Sequence, residues 1–167
     1  MTCGFWSTPL ASDEICARTK HMTLHLLKLC VGAESISDLE SWIEETRSHM
    51  QRLGRVYEQV HTTRMVPKRA PEILSGGSLY WVIKGQIAAR QKIEDIRPFT
   101  DAQGIGRCHL VLEPQVVPVE PRPCRPFQGW RYLEAKAAPQ DLSREAAAGI
   151  ADMPETMRRE LAELGLL

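Results

Sequence analysis

The sequence predicts an α+β domain: a curved, mostly antiparallel sheet or small pseudo-barrel, flanked by an amphipathic helix near its start and closed by helices at its end. Three observations lead there. Strand-like runs with period-two alternation fill the middle of the chain and follow one another through short turns, as in an antiparallel meander. Residues 37–53 carry a clear helical period. The stretch from Pro114 to Pro126 holds five prolines, too many for a central strand.

The chain has 167 residues, 43% hydrophobic and 25% charged, enough to bury one core. Residues 1–21 lack periodicity, and Met22 opens the strand-like run MTLHLLKLC. The expectation is therefore a disordered extension, or a translation start at Met22, followed by a single domain over 22–167. Next, Ser37 and Glu40 have capping-box spacing, and Leu39, Trp42, Ile43, Met50 and Leu53 fall on one helical face before Gly54. A β-branched strand around His61 follows, then a break at Pro67 and a short helix that stops at Gly76-Gly77.

Alternation along GGSLYWVIKGQIAAR puts Leu79, Trp81, Ile83 and Ile87 on one face, with Tyr80, Val82, Lys84, Gln86 and Arg90 on the other. The same split in GIGRCHLVLEP separates Cys108, Leu110 and Leu112 from Arg107, His109, Val111 and Glu113. Turn signals at Asp101 and Gly104 join these strands. The proline-rich segment reads as an edge strand running into a stiff loop that delivers Gln128, Trp130 and Arg131. The last helix carries Met157, Leu161 and Leu164 as a stripe expected to lie on the core.

Apolar runs are interrupted by Lys28 and Lys84 and fall short of the roughly 18–20 residues that cross a bilayer, so no membrane partner is expected. No secretory signal is recognisable, and the five scattered cysteines form no CxxC pair. A cytoplasmic location follows as the expectation.

Formal charge is zero, but it is unevenly distributed. Residues 61–131 hold 11 basic and 6 acidic side chains, while both flanks are acidic. A basic centre without a strong overall field suits selective or weak anion binding.

Common catalytic signatures are missing: no GxSxG, no Walker loop, no HExxH and no zinc ribbon. The GIG at Gly104–Gly106 leads into a strand, which fits a hairpin turn and not a dinucleotide loop. Neither a cofactor nor a metal site is expected, since adjacent strand residues Cys108 and His109 point to opposite faces.

The strongest constellation is basic and aromatic: Arg64, Lys68, Arg69, Tyr80, Lys84, Arg90, Arg107, Gln128, Trp130 and Arg131. Guanidinium forks suit phosphates and aromatic faces stack on bases, so an RNA- or nucleotide-binding module is the leading expectation. One alternative is a small hydrolase or nuclease-like enzyme, with His61 or His109 as base, Glu113 as its partner, and Lys84 or Arg90 facing an oxyanion. Another is a protein-interaction module using the proline-rich loop and Trp130.

The segments CVGAESISDLESWI, HTTRMVPKR, GGSLYWVIKG, DIRPFTDAQGIGRCHLVL, RPFQGWRYL and MRRELAELGLL, in this order, resemble the bacterial family catalogued as domain of unknown function 1489. The resemblance runs from Met22 to the C-terminus and implies that the domain begins there. The order of elements is also similar to the PUA-like pseudo-barrels, whose members often bind RNA or modified bases. That likeness concerns fold alone.

Overall fold

A computed structural model describes residues 23–154 together with 156, 157, 160, 161 and 164. The expectations for residues 1–21 and for a start at Met22 lie outside the described residues. Seven strands, β1 Leu24–Leu29, β2 Gln59–Thr63, β3 Ser78–Ile83, β4 Gln86–Thr100, β5 Gly106–Leu112, β6 Val117–Pro123 and β7 Trp130–Glu134, form one mixed sheet. The α-helices bounded within the described residues are α1 Ile36–Arg52, α2 Ala70–Leu74 and α3 Arg144–Ala151. The fold is α+β, as the alternation pattern implied.

Strand order is β2-β5-β4-β3-β1-β7, with β6 also on β4. All pairings are antiparallel except β1 with β3. β4 is 15 residues long and holds the two halves together. Its first half pairs with β3 and β6, and its second half pairs with β5. The sheet is open, with β2 and β7 at the ends of the path. Side chains bridge that gap: the Met65 carbonyl accepts from Thr63 Oγ1 at 2.9 Å, beyond β2, and from Trp130 Nε1 at 3.1 Å, on β7.

The inner face buries Leu24, Leu26, Leu79, Trp81, Ala89, Ile93, Leu110 and Leu112 against Leu39 and Ile43 of α1 and Ile73 of α2. The outer face packs Leu27, Tyr80, Val82 and Ile87 under Val119 and Phe127 of the proline-rich segment. Burial of this apolar surface, at about 25 cal/mol per Å², is the main stabilising contribution. Gly77 is essential to the join between α2 and β3: a Cβ there would lie 2.3 Å from the Leu24 carbonyl oxygen and 2.5 Å from that of Ile73.

Several expectations need correction. α1 is capped two residues earlier than its spacing suggested: Ser35 Oγ accepts from the Asp38 amide, and Asp38 Oδ2 accepts from the Glu34 amide. Trp42 is 53% exposed and Leu53 55%, so the helix buries a narrower stripe than the sequence period implied. Ile87 lies on the Tyr80 face, not the Trp81 face, because a register shift after Trp81 places Val82 opposite Ile87. Met157 and Leu164 are 49% and 71% exposed, so they do not form a lid on the core. The proline-rich strand behaves as expected, pairing with β4 and otherwise meeting only the isolated bridge Val119–Asp141.

Candidate functional site

The outer face of β3 does not hold the expected site. Tyr80 is only 4% exposed, with its ring against His25 at 5.2 Å between centroids, so neither face is free to stack on a base. Arg90, opposite Tyr80 in register, gives its fork to Asp141 at 2.6 and 2.5 Å and a further bond to Ser78 Oγ. Lys84 is not on a strand: it sits in the β3–β4 turn with φ +47° and pairs with Glu34 at 3.1 Å. Arg107 is bound to Asp101. Arg131 lies over the Phe127 ring at 4.7 Å, and Gln128 is exposed in the loop before it.

Nor do His61, His109 and Glu113 converge. His61 pairs with Leu110 and Thr62 pairs with His109, so the two histidines stand on opposite faces of the β2–β5 ladder. His109 stacks on Phe99 at 4.0 Å and bonds Thr62 Oγ1 at 3.0 Å. The Glu113 carbonyl accepts from Gln91 Nε2. This geometry supplies no base-carboxylate pair of the kind the hydrolase reading requires. The protein-interaction reading loses its exposed anchor too, because Trp130 is half-buried against the core.

The remaining predicted residues, Arg64, Lys68, Arg69 and Trp130, are brought together at the seam between β2 and β7. Pro67 is fully buried and pins the 64–69 loop, whose backbone is held by two aromatic side chains of β7. Trp130 Nε1 donates to the Met65 carbonyl, and the Arg69 amide donates to Tyr132 Oη at 3.2 Å. The two rings meet edge to face at 5.0 Å, and the Arg69 guanidinium lies 5.8 Å from the Tyr132 centroid. Arg69 also forks onto Glu72. Arg64 and Lys68 are exposed and have no carboxylate partner among the described residues.

Register adds a group that the motif survey passed over. Lys28 of β1 lies opposite Trp81 of β3 on one side and Trp130 of β7 on the other, giving an inner-face row Trp130, Lys28, Trp81. Trp81 Nε1 donates to Gln91 Oε1 at 2.9 Å, which fixes its ring. The half-buried Lys28 ammonium has a single contact, to the Gly129 carbonyl at 3.5 Å, and no carboxylate partner among the described residues. Burial pulls it below the ordinary lysine range, and the nearby Cys30 thiol acts in the opposite direction. The sequence did contain a signal: in LHLLKLC, Lys28 occupies an inward position in line with Leu24 and Leu26.

His61, on β2, stands edge to face with Trp81 of this row at 5.2 Å. Burial first, then the positive charge of Lys28, lowers its pKa to about 4, so it is neutral at ordinary pH. Its Nε2 is buried without a hydrogen-bond partner. The seam thus combines two indoles, an ammonium without a carboxylate partner among the described residues, a neutral imidazole and a rim of cations. Such a set is suited to holding an anionic ligand that carries a flat ring. Among the described residues no group of three or more His, Cys, Asp or Glu stands together as metal ligands.

A family model described as "Protein of unknown function (DUF1489)" matches residues 26–167. The chain belongs to the DUF1489 family. All strands after the first residues of β1, and every residue of the seam, fall within the matched segment. No curated protein and no solved structure matches the chain. The likeness to PUA-like pseudo-barrels therefore rests on element order alone. No helix among the described residues is long and apolar enough to cross a membrane.

Proposed function

We propose that this DUF1489 protein binds RNA or a nucleotide at the seam between β2 and β7. The observation that carries this reading is the row Trp130, Lys28, Trp81, in which a half-buried lysine stands in register between two tryptophans without a carboxylate partner among the described residues. A buried cation is costly unless something compensates it, so the arrangement favours a ligand that brings negative charge. Arg64 and Lys68 at the rim suit phosphates, and the partly exposed Trp130 and Tyr132 suit bases. Cys30, Cys108 and Cys124 are free thiols, in keeping with a cytoplasmic setting.

The test is anisotropy of a labelled single-stranded RNA of about eight nucleotides, a length within the usual range for one small domain. Affinity should fall with salt. Lys28→Met keeps the stem and removes the charge; it should weaken binding at least about tenfold, the equivalent of about 1.4 kcal/mol. Arg64→Ala with Lys68→Ala should reduce the slope of log affinity against log salt by about 1.4, or about 0.7 per phosphate contact on a single strand. Unchanged affinity in the folded Lys28 variant would overturn the assignment.

A further inference from the structure

We infer that the inner end of this seam reads the edge of a base, selecting keto bases, which present a carbonyl beside a ring N–H, over amino bases. The inference rests on the binding reading above and names what that site selects.

Two polar residues neighbour Trp81: Lys28 is opposite it in register, and the His61 ring stands edge to face with it at 5.2 Å. Lys28 is a pure donor: an ammonium offers three N–H bonds and accepts none. It already gives one, at the outer limit of hydrogen-bond distance, to Gly129. An oxygen acceptor is what it lacks. His61 Nε2 is closed to water and unpartnered, an arrangement that native proteins seldom leave without a purpose. With its proton on Nδ1, a neutral imidazole presents Nε2 as an acceptor.

An acceptor beside a cationic donor is the complement of a ring N–H beside a carbonyl. Uracil offers N3–H next to O4, and guanine offers N1–H next to O6. Cytosine and adenine invert both positions: a bare ring nitrogen would face Nε2, lone pair to lone pair, and an exocyclic amine would face the ammonium, donor to donor. A free phosphate would satisfy Lys28 but leave Nε2 unmet. β2, which carries His61, pairs with β5 alone among the described residues and is the end strand of the sheet. Admission of the ring requires this end strand to part from Trp81, a local opening of the sheet's edge that leaves the central ladders paired.

The experiment uses the full chain and its tryptophan fluorescence, titrated with the monophosphates of uridine, guanosine, inosine, cytidine, adenosine and 3-methyluridine. Inosine differs from adenosine only at the edge in question, and 3-methyluridine carries a methyl group in place of the N–H. Expected are affinities about tenfold or more higher for uridine, guanosine and inosine than for the other three, the effect of one unmet buried hydrogen bond. His61→Phe preserves the edge-to-face packing and should erase the difference between uridine and 3-methyluridine, leaving only the part of the inosine-over-adenosine preference that Lys28 supplies. Equal binding of inosine and adenosine nucleotides, or full binding of the 3-methyl compound, would overturn the inference and leave the binding site standing. No binding by any nucleotide would overturn the binding reading and this selectivity with it.

Discussion

Two rows of aromatic and basic side chains occupy opposite faces of the same sheet, and they have opposite fates. On the outer face Tyr80 and Arg90 are opposite one another, covered by Val119 and Phe127 and neutralised by Asp141. On the inner face Trp81, Lys28 and Trp130 are equally in register, yet among the described residues the cation has only a distant carbonyl. Residue types do not distinguish the rows. What distinguishes them is whether a carboxylate arrives from elsewhere in the chain, and Asp141 comes from 51 residues beyond Arg90. The saturated arginine is a structural fastener, whereas the lysine is the cation that the proposed reading assigns to a ligand.

The largest test of this contrast is Trp81→Ala. Removing the indole should cost about 3–5 kcal/mol in chemical denaturation, the usual range for truncating a buried aromatic. It also leaves Gln91 Oε1 without its donor. A loss below about 1 kcal/mol would mean that the inner row is not anchored in the core.

Next in size is the response to acid. The folded pKa of His61, about 4, lies below the ordinary 6.5, so the unfolded chain binds the proton more readily. Its contribution is complete above about 6.5 and declines as the pH falls towards about 4, where the folded protein also protonates. Thermal unfolding should show that decline in the natural protein and a flatter profile in His61→Phe. Asp141 acts lower: its hydrogen bond to Arg90 holds the carboxyl below 3.8, so its contribution is present above that value and lost in stronger acid.

Asp141→Asn should then cost about 1 kcal/mol or less, as partly exposed ion pairs do, and leave RNA affinity at neutral pH unchanged. A weakened affinity in that variant would erase the distinction between the faces. Smallest of all should be the stability change in Lys28→Met, about 0.5 kcal/mol and in the stabilising direction because a half-buried charge is removed, even though its binding falls.

Much of the fold was legible in the sequence. The helical period of α1, the turn at Gly76-Gly77, the hairpin after Asp101 and the edge character of the prolines are all local signals, and local signals survive without tertiary context. The register shift after Trp81 left no comparable mark, and it moved Ile87 to the other face. The site was only half legible. Arg64, Lys68, Arg69 and Trp130 stood out by type, but their meeting depends on β7 lying beside β1, a pairing between segments about a hundred residues apart. Lys28 was hidden because its meaning comes from neighbours at positions 81 and 130, not from its own run. Arg90 and Tyr80 misled for the converse reason: their cover arrives from the distant proline-rich segment.

The placement of β1 between β3 and β7 has a consequence for how the protein is made. As the chain emerges from the ribosome, β1 gains one neighbour once residues 78–83 are available, then waits with the other edge bare until residues 130–134 appear. Bare edges invite pairing with foreign strands, and here the wait spans most of the remaining synthesis. Trp130, which closes the row around Lys28, arrives on that same final strand. The nascent protein therefore covers the second edge of β1 and completes the proposed site in a single event, and a chain halted before Trp130 would possess neither.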